Sequence, residues 1–413
     1  MSMPRKISGV FRDIGRPGVH PREITRDSVN VLHLDHSVAA GGAEMALLRM
    51  LEVGPTWSAA VLVPTTPTGD AGIFGSMEFH SRATFRQCGP AQSAGASKTQ
   101  TLRSTFGFAF GMFAQAMAIR TSTEFRRSQV VDANSSRAAV YGAIACLGTR
   151  KALVVHLRDM VTPASLGPIG VWLFRLLAMR RAQALISNSQ PTLESAQRYV
   201  RRKQVAVVIP SASGLDAATR EPYIPNGEFI IGMVARLAYW KGQHLLLEAF
   251  AEHFKGKPAK LVIVGGAHFG EEAYAGMLDD RALELGISEQ VTFTGHRSDT
   301  SNLIRDFDIC VQASTRPEPM GQNILQYLSA GRATIASDRG GPSDWIKHSY
   351  NGLLFAQGDV VELGNAMKLL WTDTELRIKL ANAAAATKGL LSDDEVSQLH
   401  ANIFERISIG RAR

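Results

Sequence analysis

Two cations stand close together in the run Arg236-Leu-Ala-Tyr-Trp-Lys241-Gly242, after an apolar, β-branched segment and before a helix-like one. Arginine offers a planar fork of donors and lysine a compact point charge, a combination suited to gripping a diphosphate. As mere surface cations at a helix start they would oppose the helix dipole, so a bound anion is the favoured reading. A second run, Arg316-Pro-Glu318-Pro-Met-Gly321-Gln-Asn-Ile-Leu-Gln326, is placed in the same way. Glu318 in the loop is suited to accepting hydrogen bonds from sugar hydroxyls, or to capping the helix. Gly321 lets backbone amides face a hydroxyl or phosphate. Gln322 and Asn323 join it as candidate donor contacts, and Gln326 would lie two turns on from Glu318, near the same face.

Weaker signals accompany these. Gly41-Gly42 lies between a strand-like and a helix-like segment, where paired glycines admit a ligand to the backbone and a helix start attracts an anion. The pair is not a G-x-G-x-x-G fingerprint, and a plain tight turn explains it as well. His156 closes the strand-like run Val154-Val-His-Leu-Arg158-Asp159, a position equally open to a structural and a catalytic histidine. Gly265-Gly266 and Gly340-Gly341-Pro342 are further loops that expose backbone after strands.

The elements that must position these residues follow from periodicity. Short apolar runs at 29–34, 59–63, 130–132, 152–156, 184–187 and 205–209 read as strands, with helical stretches between several of them. Residues 211–227, with Pro210, Pro222 and Pro225 nearby, read as a linker. Strands then recur at 229–234, 260–264, 291–294, 309–313 and 333–337, alternating with helices at 244–253, 273–285, 303–307 and 323–329. This alternation predicts an α/β protein of two doubly wound, Rossmann-like domains, with ligands at the carboxyl ends of parallel strands and the reaction in the cleft between them. The expected division is a loosely ordered arm over 1–27, a first domain over 28–215, a second over 216–390, and a C-terminal helix over 391–413 packing back on the first.

Bulk properties agree. A chain of 413 residues exceeds one ordinary core, and 45% hydrophobic with 20% charged residues is a globular composition. Cys88, Cys146 and Cys310 match no zinc or redox spacing, so a reducing, cytoplasmic setting is expected. No run is long and apolar enough to cross a membrane, and no apolar stretch follows the N-terminal charges as a signal peptide requires. Residues 1–215 carry 25 Lys and Arg against 12 acids, or +13, while the remainder carries −5. A basic half suits an anionic partner, or is simply a solvated surface. Arg175, Arg180, Arg181, Arg198, Arg201, Arg202 and Lys203 cluster in sequence, and the acceptor is expected beside them. The uncharged segment 106–119, with four phenylalanines, reads as a buried core helix or as a surface that docks peripherally on an anionic membrane face. Nucleic acid is not expected, because the basic residues lack interleaved aromatics.

Taken in order, Gly41-Gly-Ala-Glu44, Arg236-x4-Lys241-Gly242, Glu318-Pro-Met-Gly321, Ala330-Gly-Arg-Ala-Thr-Ile-Ala-Ser-Asp338-x-Gly-Gly341 and Asn351-Gly-Leu-Leu-Phe355 resemble a retaining glycosyltransferase of family 4 with the GT-B fold. The resemblance runs from about residue 29 to the C-terminus. It implies that Arg236 and Lys241 bind the donor diphosphate and stabilise the leaving group. It also implies that Gly41 and Gly42 line the phosphate or acceptor side of the cleft, that His156 contacts the donor sugar, and that Glu318 binds its hydroxyls. A nucleotide-sugar is then the co-substrate, a glycan or lipid-linked glycan the acceptor, and no metal or other cofactor is expected. One position departs from the pattern. The second glutamate, which accepts hydrogen bonds from the nucleotide ribose, is Gln326 here. The lost charge costs about 1 kcal/mol of donor binding. That departure keeps a non-catalytic nucleotide-sugar-binding partner in view, and the shared architecture does the same for a nucleotide-sugar epimerase.

Overall fold

Short β-branched runs form two parallel sheets, as seen in a computed structural model that describes residues 28–39, 41–75, 83–91, 102–215, 222–225, 227–267 and 270–409. The arm expected over 1–27 lies outside the described residues. The first sheet contains β1 (Asn30–Leu34), β2 (Ser58–Val63), β3 (Ala83–Gln87), β4 (Val130–Ala133), β5 (Ala152–Leu157), β6 (Ala184–Ser187) and β7 (Val205–Val208), in the order β3-β2-β1-β4-β5-β6-β7. The second contains β8 (Phe229–Val234), β9 (Ala259–Val264), β10 (Val291–Phe293), β11 (Ile309–Gln312), β12 (Ala333–Ser337) and β13 (Leu353–Phe355), in the order β10-β9-β8-β11-β12-β13. Central strands such as β5, buried at every residue, lie between helical layers on both faces. In each sheet the strand order reverses beside its first strand, between β1 and β4 and between β8 and β11. A crevice opens at such a point beyond the carboxyl ends. The Gly41-Gly42 turn follows β1 and the Arg236 loop follows β8, so both border these crevices.

β3 and β13 escaped the sequence reading. β3 reads Ala-Thr-Phe-Arg-Gln with alternating exposure, as suits an edge strand, and β13 has three residues. The apolar segment forms part of the helix Leu102–Thr121. The buried-core expectation for it is corrected, because Met112, Ala116 and Ile119 are buried while Phe110 and Phe113 are 73% and 54% exposed. The side chains of Phe106 and Phe108 lie outside the described residues.

Strand parity sorts the first domain into two cores. Leu153, Val155 and Leu157 of β5 face one, while Ala152, Val154 and His156 face the other. The helix Asp393–Ile409 covers the second face, where Val396, Ala401, Ile403, Phe404 and Ile407 pack with Val31, Trp57 and Val154. A polar chain runs through this apolar layer. Trp57 Nε1 donates to His33 Nε2 at 2.9 Å, His33 Nδ1 donates to one oxygen of Asp132 at 2.8 Å, and His156 Nε2 meets the other at 2.9 Å. Burial opposes ionisation of Asp132, yet His156 and His33 outweigh it and hold the carboxyl far below its usual range. The ring of His400 stacks on His156 at 5.2 Å, and its Nδ1 donates to the Val396 carbonyl at 2.7 Å.

Burial and the neighbouring His156 push His400 down to about 3 from an ordinary 6.5. The unfolded chain therefore takes up a proton at residue 400 below its ordinary value, whereas the folded chain does so only near the depressed one. Stability is lost as pH falls through that window. A His400→Leu variant should lose less stability than the parent between about pH 7 and 5. Denaturant unfolding at the two pH values reads this, and identical losses would contradict it.

Candidate active site

The N-terminal wall starts at the end of β1. Asp35 is fully buried and accepts from Asn134 Nδ2 at 2.6 Å and from the His36 backbone N–H at 2.7 Å. Arg158 donates to Asn134 Oδ1 at 2.7 Å and to Ser211 Oγ at 3.2 Å, so one network joins the ends of β1, β4 and β5 to the linker. The helix Gly42–Glu52 begins at Gly41 with no side-chain cap from the Ncap residue, and the Glu44 carboxyl bonds its own backbone N–H in the first turn. A Cβ on Gly41 would lie 2.2 Å from Glu44 Oε2, so glycine is needed because the glutamate folds back over the turn. Burial, then the charge of Asp35, push the Glu44 carboxyl up to about 8. Burial lowers the pKa of His36, but the hydrogen bond and charge of Asp35 outweigh it and raise it. Asp35, His36 and Glu44 bring ligand atoms within 4.8 Å of one another and could hold a metal ion, which would have to displace the protons held at His36 and Glu44.

The C-terminal wall gathers the other predicted residues. Lys241 Nζ pairs with Glu318 Oε2 at 2.7 Å, and Ser314 Oγ donates to the same oxygen at 2.8 Å. Arg236, Lys241 and Arg316 lie 5.8, 4.2 and 4.3 Å from the ring of Trp240, so three cations share one indole. Trp240 and Arg316 take no role in the sequence reading, although both lie inside its motifs. Burial lowers the pKa of Arg236 while Glu271 and Glu318 oppose the shift. Asp159, exposed on the N-terminal wall, lies within electrostatic reach of Arg316, Glu318 and Arg236 of the facing wall.

Close backbone approach holds this wall in place. Gly242 adopts φ 78°, and a Cβ there would lie 1.9 Å from the Ala313 carbonyl oxygen at the end of β11. Gly340 adopts φ 85° and would bring a Cβ to 2.2 Å from the Glu318 carbonyl, which accepts from the Gly341 N–H at 2.8 Å. Gly321 starts the helix Gln322–Ser329 without a side-chain cap. The two domains meet beside this loop. Ser189 Oγ and Thr192 Oγ1 both donate to the Pro319 carbonyl, the latter at 2.9 Å, and the Gln190 N–H donates to Asp344 at 2.9 Å.

Several expectations need correction. His156 is 1% exposed, paired with Asp132 and stacked on His400 inside the first domain, so it does not reach the donor sugar. The strand's outgoing residues, Arg158 and Asp159, stand at the cleft instead. Gln322 spends its amide nitrogen on the Ala212 carbonyl of the linker at 2.6 Å. Asn323 donates to the Val234 carbonyl at 3.1 Å and accepts from the Ile324 N–H, tying its helix to the end of β8 rather than facing a donor. Gln326 is half-buried one turn beyond Gln322. The arginine cluster expected beside the acceptor precedes β6 and β7 and therefore lies at the amino ends of the strands, away from the cleft. Arg181 in that cluster is spent on the carbonyls of Cys146, Thr149 and Lys151.

Two facing Rossmann-like domains with the crevices of both sheets turned to one cleft are the GT-B fold. Residues 216–387 match the family described as glycosyl transferases group 1. The chain is 29% identical over 177 residues to the putative glycosyltransferase EpsD of Bacillus subtilis (strain 168), covering 43% of this chain and 45% of that protein. It is 25% identical over 222 residues to the lipopolysaccharide core biosynthesis glycosyltransferase LpsE of Rhizobium meliloti (strain 1021), covering 53% and 63%. The crystal structure of Anabaena HepE in complex with UDP and glucose superposes with a TM-score of 0.75 at 26% identity, covering 91% of this chain and 99% of that one. The architecture is the GT-B fold, the family match lies in the second domain, and the chain spans about half the length of the curated relatives it matches.

Because Glu44 is neutral in the folded chain up to about 8 but ionises near an ordinary 4.5 when unfolded, it makes stability fall as pH rises through that window. Glu44→Gln should therefore flatten the decline on the alkaline side, seen as a smaller drop in Tm from about pH 5 to 8. A drop as large as the parent's would contradict the assignment.

Proposed function

We propose that this chain is a retaining glycosyltransferase of family 4 that transfers a sugar from a UDP-sugar to a glycan or lipid-linked glycan in surface polysaccharide or glycoconjugate synthesis. The observation that carries this reading is the convergence of Arg236, Lys241 and Glu318 on one wall, opposite the helix start at Gly41-Gly42. The UDP donor is drawn from HepE, which binds UDP and glucose at 26% identity.

The chemistry follows from charge. When the donor enters, its diphosphate takes Arg236 and Lys241, and the Glu318 carboxylate turns from Lys241 to the sugar hydroxyls. The acceptor oxygen attacks the anomeric carbon on the face from which the phosphate leaves. The C–O bond to phosphate breaks, and the departing phosphate oxygen receives the acceptor's proton. The products are the glycosylated acceptor and UDP. Once the donor has drawn Lys241 from Glu318, the two cations stabilise the departing charge during the chemical step, so no metal is expected. Gln326 meets the ribose as a neutral acceptor. A lipid-linked acceptor is met at the face of a membrane, peripherally.

Thermal unfolding with a nucleotide panel tests the reading. UDP and a UDP-sugar should raise Tm, GDP and ADP should not, and EDTA should leave the shift unchanged. Lys241→Met removes a charge-assisted contact of about 1.5–3 kcal/mol, which weakens UDP roughly 10- to 150-fold. No shift with any nucleotide would sink the donor site. Binding without turnover across donors and acceptors would favour the non-catalytic partner, to which Gln326 already points.

A further inference from the structure

A basic cavity lies at the amino end of the first sheet, remote from the cleft. It has a volume of about 370 Å³ and is lined by Arg175, Leu176, Arg180, Arg198, Tyr199 and Arg201. The Arg175 guanidinium sits 3.7 Å from the centre of the Tyr199 ring and that of Arg198 sits 4.6 Å from it. Arg201 donates to the Arg180 carbonyl at 3.0 Å. Among the described residues no carboxylate pairs with any of the four arginines, and the buried Tyr199 hydroxyl has no hydrogen-bond partner. Like charges held around one ring repel, and an anion between these exposed arginines removes that repulsion.

The helix that carries Arg175 and Leu176 also carries an exposed apolar stripe. Ile169, Trp172 and Leu176 are 57%, 58% and 43% exposed, at helical spacing on one face. From Phe174 to Met179 the helix widens into a π turn, a departure that recurs at functional sites. The stripe begins near the carboxyl end of β5, beside the cleft, and ends at the arginine cavity. An apolar ridge containing tryptophan beside unpaired cations matches an anionic bilayer, whose phosphates meet the arginines while the ridge enters the interface.

We propose that the cavity is a phosphate site for lipid headgroups and that, with the Ile169–Trp172–Leu176 stripe, it seats the first domain on an anionic membrane. This deepens the reading of a membrane-borne acceptor and rests on it, since a bilayer along this helix lies beside the mouth of the cleft.

Sedimentation of the full chain with vesicles tests the proposal. The protein should bind equimolar phosphatidylglycerol–phosphatidylcholine vesicles at low salt and ignore pure phosphatidylcholine. Arg175→Gln/Arg198→Gln should weaken binding roughly 25-fold, at about fivefold per cation. Trp172→Ser should weaken it at unchanged charge, which simple electrostatic adhesion would not do. Both variants should keep the parent's Tm and UDP shift, which separates this test from that of the donor site. Vesicle binding is read without donor, so a missing UDP shift leaves it intact. Absence of binding by the parent, equal binding to neutral vesicles, or variants that bind as the parent does would each overturn the proposal. Stabilisation by inorganic phosphate alone, lost in the arginine variant and unaccompanied by vesicle binding, would make this a free-anion site and overturn it too.

Discussion

The ion pair between Lys241 and Glu318, 2.7 Å apart with side chains only 15% and 8% exposed, is the contact around which the second domain's wall is built. Neither charge is well solvated, so each depends on the other. Forming the pair brings the loop after β8 against the loop after β11, and no side chain fits between them. This explains Gly242 beneath Ala313 and Gly340 against Glu318. The pair is also reactive in a useful sense. Under the proposed function a diphosphate would compete for the ammonium and a sugar hydroxyl for the carboxylate, so one ligand carrying both groups would replace the internal contact with two of its own.

The first domain supplies a rigid opposite wall. Its aspartates divide the work by position along the strands. Asp132 is sunk between two imidazoles beneath the C-terminal helix, while Asp35, at the end of β1, orients Asn134 and through it Arg158. The same helix starts beyond the second domain and ends on the first, with Phe404 against Trp57 at 5.1 Å. Ser189 and Thr192 reach across to the Pro319 carbonyl, next to Glu318, so the first domain touches the loop that carries the carboxylate.

Much of this was legible in the sequence because parallel sheets bury continuous apolar runs, which stand out against glycine-rich turns. The runs at 229–234 and 309–313 marked strands whose loops carry Lys241 and Glu318. What escaped depends on direction rather than type. His156 ends a strand as a catalytic residue would, but parity turns it inward with Val154, and only the placement of His400 and Asp132 shows what it meets. Gln322 and Asn323 occupy a motif, yet their amides serve the linker and β8, contacts distant in sequence. The arginine cluster looked like an acceptor surface until strand direction placed it at the opposite end of the sheet. Strand β3, on an edge, alternates too weakly to be separated from a loop.

The most direct measurement is a paired calorimetric titration of UDP and UDP-glucose into the parent and Glu318→Gln. If Lys241 serves the phosphates and Glu318 the sugar, the variant keeps or tightens its hold on UDP, because Lys241 is released, and loses the added affinity contributed by the sugar. An equal loss for both ligands would show that Glu318 only supports the wall, and would contradict the division of the pair on which the account rests.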